Sequence, residues 1–312
     1  MTILIEQPEL STMAEAHQER IDEQMRNELV LDGGFPLPKP LSEDGFKAPQ
    51  INSYGRSFRN YHGESARQKS VEEFYKLQHT NQTYEFAKKM RAEYGKLNKA
   101  EMGIWECCEL LEGIVDASDP DLEESQIQHA FQSAEAARKD YPNEDWLHLT
   151  ALIHGIILST YFNELFTNTK KMIFIIAGDS FPLGCAFDEA NTHHKYFKNN
   201  PDNNNPAYNT KNGIYTEGCG LDNVIMSWGH DEYMYLVSDE SNKLNMHEFT
   251  ALFQTGAYKH LYREEDVENL KWLHIFHKYD LYSKSNVLID VEKVKPYYLS
   301  LIEKYFPSKL KW

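Results

Sequence analysis

The sequence predicts an all-α protein, and three observations carry that prediction. Apolar residues recur at helical spacing in segment after segment from residue 65 onward, signals for strands are few, and no internal repeat stands out. A chain of 312 residues can bury a substantial core. The expected organisation is a polar N-terminal tail over residues 1–55 and a single helical domain over residues 56–312.

The tail reads as too polar to fold, because "GGFPLPKPLSEDGFKAPQINS" mixes prolines, glycines and charge without hydrophobic periodicity. From Ser65, "SARQKSVEEFYKLQHTNQTYEFAKKMRAEYGKL" is helical, with Val71, Phe74, Tyr75 and Leu77 near helical spacing. "NKAEMGIWECCELLEGIVDASDPD" is a second helix with Asn98 as its N-cap and a Ser/Asp/Pro stop. "ESQIQHAFQSAEAARKDYP" is a third, with Ile127, Phe131 and Ala134 on one face, and a fourth begins after "PNED" at Trp146. The Asn/Pro-rich stretch "FKNNPDNNNPAYNTKNGIYTEGCG" is a long loop. Further helices are expected in "LDNVIMSWGHDEYMYLVS", "REEDVENLKWLHIFHKYDLYSK" and "VEKVKPYYLSLIEKYF".

Composition narrows the function. With 48 acidic against 32 basic residues the net charge is -16, which repels phosphate backbones and anionic lipid, so neither nucleic acid nor membrane is an expected partner. Cys107 and Cys108 are adjacent, Cys185 and Cys219 are isolated, and no CxxC spacing suggests zinc or redox chemistry. Reduced thiols, and a start "MTILIEQPELSTMAEAHQER" without a basic region or a long apolar run, point to the cytoplasm. The most apolar stretch, around 151 to 177, is interrupted by Asn163, Glu164, Asn168, Lys170 and Lys171 and cannot form a clean membrane span.

Chemistry is carried by histidines and one carboxylate. Asp280 falls on the helical stripe of Leu273 and Phe276, where a carboxylate must be paired with Lys or Arg, hydrogen-bonded or bound to a metal. His154 stands among Leu152, Ile153, Ile156 and Ile157, either as a core histidine satisfied by a backbone carbonyl or as a ligand. His230 and Asp231 follow Trp228 and read as a packed histidine with a helix-start aspartate. His129 lies off the Ile127/Phe131/Ala134 stripe, so periodicity leaves it exposed, and His193 and His194 read as surface residues. Several histidines and a carboxylate on successive helices would together suit iron or another first-row metal in a helical fold.

Five segments in this order, "QHAFQSAE", "DWLHLTALIH", "GDSFPLGC", "MSWGHDEYMY" and "KYDLYSK", closely resemble the myo-inositol oxygenase family, in its plant branch. The resemblance runs from "SFRNYH" at residue 57 to the closing "KPYYLSLIEKYFPSKLKW". It implies a variant of the helical HD-domain bundle carrying two iron ions in a mixed Fe(II)/Fe(III) state. The implied activity opens the ring of myo-inositol with dioxygen to give D-glucuronate, which feeds sugar-acid and ascorbate pathways, in a monomer. Carried over by motif, the metal ligands are His129, His154, His230, His247 and Asp280. The substrate contacts are Arg59, Asp116, Ala117, Ser118, Gly178, Asp179 and Lys284. Such a set suits a neutral polyol, whose hydroxyls both donate and accept and must each be satisfied when buried.

The chain departs from the family at "HGIIL", where the family has "HDLGK". Gly155 stands in place of the aspartate that bridges both irons, and Leu158 in place of a substrate-facing lysine. Neither offers the lost group, and loss of at least one iron is the expectation. The next segment, "STYFNELFTNTKKMIFIIA", is also unlike the family, and "SDESNKLNMHEF" is shorter than its counterpart, with Glu248 where the family has serine. Two functional classes follow: the family's oxygenase, and a catalytically impaired or silent relative serving as a scaffold or binding protein. A metal phosphohydrolase of the broader HD class ranks last, because it would need the missing aspartate.

Overall fold

A computed structural model describes residues 51, 66–110, 112, 125–154, 180–239 and 256–312. The expected tail lies outside the described residues apart from Ile51. So do residues 155–177 and 240–249, which hold most of the two divergent segments.

The described chain is helical, as expected, but its helices begin and end where hydrogen-bond partners dictate. The first apolar run divides into α1 (Ala66–Asn81) and α2 (Tyr84–Tyr94). Thr83 between them is extended, and its hydroxyl accepts from the Phe86 N–H at 3.1 Å, a cap that starts α2. The end of α1 is closed by Asn200, whose amide donates to the carbonyls of His79 and Gln82, both at 2.7 Å. Asn98 is not an N-cap. The chain first forms β1 (Glu101–Met102), and α3 (Ile104–Leu110) follows with the Glu106 carboxylate accepting from Gly103 N–H at 2.6 Å. Capping by Asn98 is displaced because β1 pairs antiparallel with β2 (Leu310–Lys311), which holds residues 101 and 102 extended.

Helices α4 (Gln126–Asp140) and α5 (Asp145–Ile153) form the centre. They pack along each other, α7 (Glu264–Tyr282) crosses both, and α8 (Val291–Tyr305) lies against α5. Every residue of α5 from Leu147 to Ile153 is buried, as expected of a helix with neighbours all round. Alanines 130, 134, 136 and 137 of α4 are buried, and small side chains there let the neighbours approach closely.

The expected helix over 221–238 begins only at His230, as α6 (His230–Asp239). Before it, Leu221–Asn223 make a 3-10 turn and residues 225–227 are extended because they pair with the segment after Ser180. Leu183 N–H donates to the Ile225 carbonyl and Ser227 N–H to the Phe181 carbonyl, each at 2.8 Å. The Asn/Pro-rich stretch is an ordered loop of short 3-10 turns. Gly213 closes against it at φ +56, and a Cβ there would stand 1.8 Å from the Gly184 carbonyl oxygen, so only glycine fits. His193 is not a surface residue. It is buried and packs on the ring of Tyr75, because this loop folds back over α1. Among the described residues no helix is long and apolar enough to cross a membrane.

Candidate metal centre

Three of the expected ligands meet where α4, α5 and α7 converge. His129 comes from the first turn of α4, His154 from the residue that ends α5, and Asp280 from the last turn of α7. Asp280 Oδ1 lies 3.1 Å from His129 Nε2 and 3.1 Å from His154 Nε2, and the two Nε2 atoms are 3.3 Å apart. Among the described residues these three form the one group of His, Cys, Asp and Glu side chains able to hold a metal.

The protons on these rings decide what the triangle can do. His154 Nδ1 lies 2.6 Å from the Ala151 carbonyl, to which it can only donate. The neutral ring therefore carries its lone pair on Nε2, turned toward Asp280 and His129. His129 Nδ1 is buried without a hydrogen-bond partner, so this ring's one polar contact is likewise at Nε2. Burial holds the His129 ring below its usual proton affinity, and the nearby charges of Lys284 and His154 push the same way against the pull of Asp280. Burial alone would raise the Asp280 carboxyl, but His154 and His129 outweigh it and hold Asp280 well below the carboxylate range.

A neutral imidazole and a carboxylate are the forms that bind metal. Ligands about 2.1 Å from one ion are separated by roughly 3.0 Å in octahedral and 3.4 Å in tetrahedral geometry, which brackets the observed edges. Two histidines and one carboxylate on a triangular face suit a non-haem iron site. The residues therefore fit the metal that the sequence pattern implies. Phe276 packs edge-on against His154 at 5.3 Å, while Asp280 retains 22 % exposure, so the face is apolar on one side and reachable on another.

His230 begins α6 beside this triangle but outside it, its Nδ1 2.6 Å from Asp231 Oδ1. The other carboxylate oxygen of Asp231 accepts from Ser180 at 3.2 Å. Burial would raise the Asp231 carboxyl, but His230 and Ser180 lower it, and the charge of His154 adds to them, which brings this pair electrostatically within reach of the triangle. Two residues upstream, Gln82 grips the Trp228 backbone, donating to its carbonyl at 2.6 Å and accepting from its N–H at 3.0 Å. Lys284, one turn beyond Asp280, is only 4 % exposed and acts electrostatically on His129.

His247, Arg59, Asp116, Ala117, Ser118, Gly178 and Asp179 lie outside the described residues, as do Gly155 and Leu158. His129 is corrected from exposed to 3 % exposed: α7 covers the face of α4 opposite the Ile127/Phe131/Ala134 stripe. A signal for this existed in "QIQHAFQSAE", where the polar residues of that face, Gln128, His129, Gln132 and Ser133, carry no Lys or Glu, unlike an ordinary solvated face.

A model of the family described as "Myo-inositol oxygenase" matches residues 68–312. The chain is 59 % identical to "Inositol oxygenase 2" of Arabidopsis thaliana over 325 positions, covering 100 % of both chains. That span exceeds this chain's length, so the relative carries residues that have no counterpart here. It is 62 % identical to "Inositol oxygenase 4" of the same plant, covering 91 % of this chain and 92 % of the relative. With "Inositol oxygenase" of Dictyostelium discoideum the identity is 41 %, over 93 % of this chain and 96 % of the relative. Agreement of that extent, across the helices that bring His129, His154 and Asp280 together, makes this chain a member of the myo-inositol oxygenase family.

Proposed function

We propose that this protein is an inositol oxygenase that opens the ring of myo-inositol with dioxygen and releases D-glucuronate at a two-iron centre. The observation that carries the reading is the convergence of His129 Nε2, His154 Nε2 and Asp280 Oδ1 in a chain of this family. On this reading His129, His154 and Asp280 hold one iron, and His230 and His247 contribute to the second. Iron supplies Lewis acidity toward adjacent hydroxyls and one-electron chemistry toward dioxygen.

The protein's own contribution is to bind, orient and exclude. Lys284 donates hydrogen bonds to hydroxyls of the polyol, and so does Arg59, while the carboxylates of Asp116 and Asp179 accept from others. Ala117, Ser118 and Gly178 complete the contact set. Each buried hydroxyl then has a partner, and a substrate lacking one leaves a protein group unpaired, which is where discrimination arises. The ring of Phe276 beside His154 limits water on the apolar side of the triangle. A monomer working in the cytoplasm and supplying sugar-acid and ascorbate routes completes the proposal.

The test is iron per chain measured together with glucuronate formed from myo-inositol under oxygen, on protein loaded with ferrous iron. On this reading two irons and steady turnover follow, against the loss of iron that Gly155 taken by itself implies. One iron or none, with no glucuronate, would overturn the reading in favour of a silent scaffold. That alternative rests on Gly155 and Leu158 and on the two divergent segments. Gly155→Asp restores a carboxylate next to His154, and a rise in iron retained by the variant would identify position 155 as the weak point.

A further inference from the structure

One face of α4 meets the end of α7 and the loop after it through an unbroken series of polar contacts. Ser133 Oγ donates to the Tyr279 carbonyl at 3.2 Å and pairs with Ser283 Oγ at 3.0 Å. His129 meets Asp280. Gln132 Nε2 donates to the carbonyls of Ser285 at 2.6 Å and Val287 at 2.9 Å, while its Oε1 accepts from Ser285 N–H at 3.1 Å. Gln128 Oε1 accepts from Ile289 N–H at 2.8 Å, and its Nε2 donates to the Ile289 carbonyl at 3.3 Å. Positions 128, 129, 132 and 133 share one side of a helix by their spacing.

Filling this space does not require glutamine, since an unbranched apolar side chain of similar volume would occupy it. What the amide adds is direction. Gln132 is 5 % exposed, and both its oxygen and its nitrogen are spent on the backbone of a segment more than 150 positions away. A fully satisfied buried amide of this kind fixes the register of the backbone it grips. The gripped segment begins at Ser285, directly after Lys284, whose long, flexible stem has many rotamers. Its nitrogen can arrive at a set place only if the backbone beneath it is fixed.

We infer that Gln132, supported by Gln128, is a positioning residue: by clamping the backbone of residues 285–287 it sets where Lys284 presents its ammonium, while holding no metal itself. The inference rests on the proposed reading of Lys284 as a substrate contact. It assigns Gln132 to substrate binding and separates it from His129, one turn away on the same face, which belongs to the metal.

The experiment compares wild type with Gln132→Met, which conserves volume, and Gln132→Ala. Three quantities are read: KM and kcat for myo-inositol, iron per chain, and the rate at which Lys284 is acetylated by an N-hydroxysuccinimide ester, followed by peptide mass spectrometry. KM should rise about tenfold with kcat within about threefold, the signature of lost binding rather than lost chemistry. Iron per chain should stay unchanged, and Lys284 should acetylate several-fold faster. Should Gln132→Ala fail to fold, Gln132→Met decides. Wild-type KM and wild-type acetylation in Gln132→Met would overturn the inference, as would iron lost in step with activity, which marks a merely structural role. If wild type itself turns over no inositol, the proposed function fails separately, and the acetylation rate still decides whether the clamp exists.

Discussion

The Nε2 atoms of His129 and His154 face each other at 3.3 Å with Asp280 Oδ1 3.1 Å from both. With His154 Nδ1 committed as a donor to Ala151, at most the His129 ring can place a proton inside this triangle while both rings are neutral. Such an arrangement is held together poorly by itself and well by a cation. His154→Gln should therefore change the stability of metal-free protein by no more than about 1 kcal/mol. It should abolish the stabilisation that ferrous iron gives wild type, about 2.7 kcal/mol at one hundred times Kd. Thermal unfolding with and without iron checks this, and an equal iron-induced shift in the variant would show that the triangle is not the binding site.

Asp231 contacts His230 and Ser180 and is not one of the three triangle residues, yet it should govern metal affinity. Its carboxylate lies 2.6 Å from Nδ1 of His230, which on the proposed reading makes Nε2 that ring's ligand atom, and Ser180 holds its second oxygen. Outer-shell partners of this kind are worth roughly 10–100-fold in metal affinity. Asp231→Ala should weaken binding of the second equivalent of iron by that factor and leave the first within about threefold. Titration with ferrous iron resolves the two steps, and equal weakening of both would contradict the separation of His230 from the triangle.

Much of this was legible in the sequence, and the failures share one cause. The helix of Asp280 followed from apolar spacing, as did the need for that carboxylate to have a partner, although its partners are histidines rather than Lys or Arg. His154 satisfied both readings at once, bonded to a backbone carbonyl through Nδ1 and turned toward the cluster through Nε2. Periodicity misplaced His129, since an apolar stripe marks one buried face of a helix and says nothing of a second face buried through hydrogen bonds. The late start of α6 was hidden for the same reason: Gln82 and the residues around Phe181 hold 225–228 extended, and those partners are distant in sequence. Motif resemblance supplied what local patterns could not, because ordered agreement of five segments encodes tertiary contacts.

His79 makes the fold sensitive to acid. Its ring is 1 % exposed, stacked on Phe197 at 4.0 Å, and its Nε2 donates to the Thr192 carbonyl at 2.7 Å. A second proton would fall on Nδ1, which has no acceptor. Burial accordingly lowers the His79 pKa to about 4, the Thr192 carbonyl opposes it, and the charges of His193 and His194 add to the lowering. The unfolded chain takes up this proton below about 6.5 while the folded chain refuses it until about 4. The contribution is whole above pH 6.5, declines as pH falls, and is gone below pH 4, a loss of about 3 kcal/mol. Denaturant titrations of wild type and His79→Gln at pH 7 and pH 4.5 isolate it. The variant should lose less stability on acidification, and parallel losses would refute the assignment.

The last residues tie the fold shut around the site helices. Trp312 accepts at its carbonyl from Lys99 N–H at 2.7 Å and Ala100 N–H at 3.1 Å, and donates from its own N–H to the Ala100 carbonyl at 2.9 Å. Its indole nitrogen donates to the Met102 carbonyl at 3.0 Å, and its ring is 2 % exposed in the cluster that also contains Ile127, Phe131 and Leu152. Those three belong to α4 and α5, the helices that deliver His129 and His154. Trp312→Ala removes a large buried ring and an indole hydrogen bond together, and should cost about 3–5 kcal/mol. The backbone pairing of Leu310 and Lys311 with β1 does not depend on that ring, so the fold should persist at 25 °C with its denaturation midpoint lowered. Trp312 bonds to residues 99–102 rather than to His129, His154 or Asp280, so iron affinity of the folded variant should stay within about threefold of wild type. Equilibrium unfolding and an iron titration on the same preparation check both halves, and an unchanged midpoint would mean that Trp312 does not brace the core.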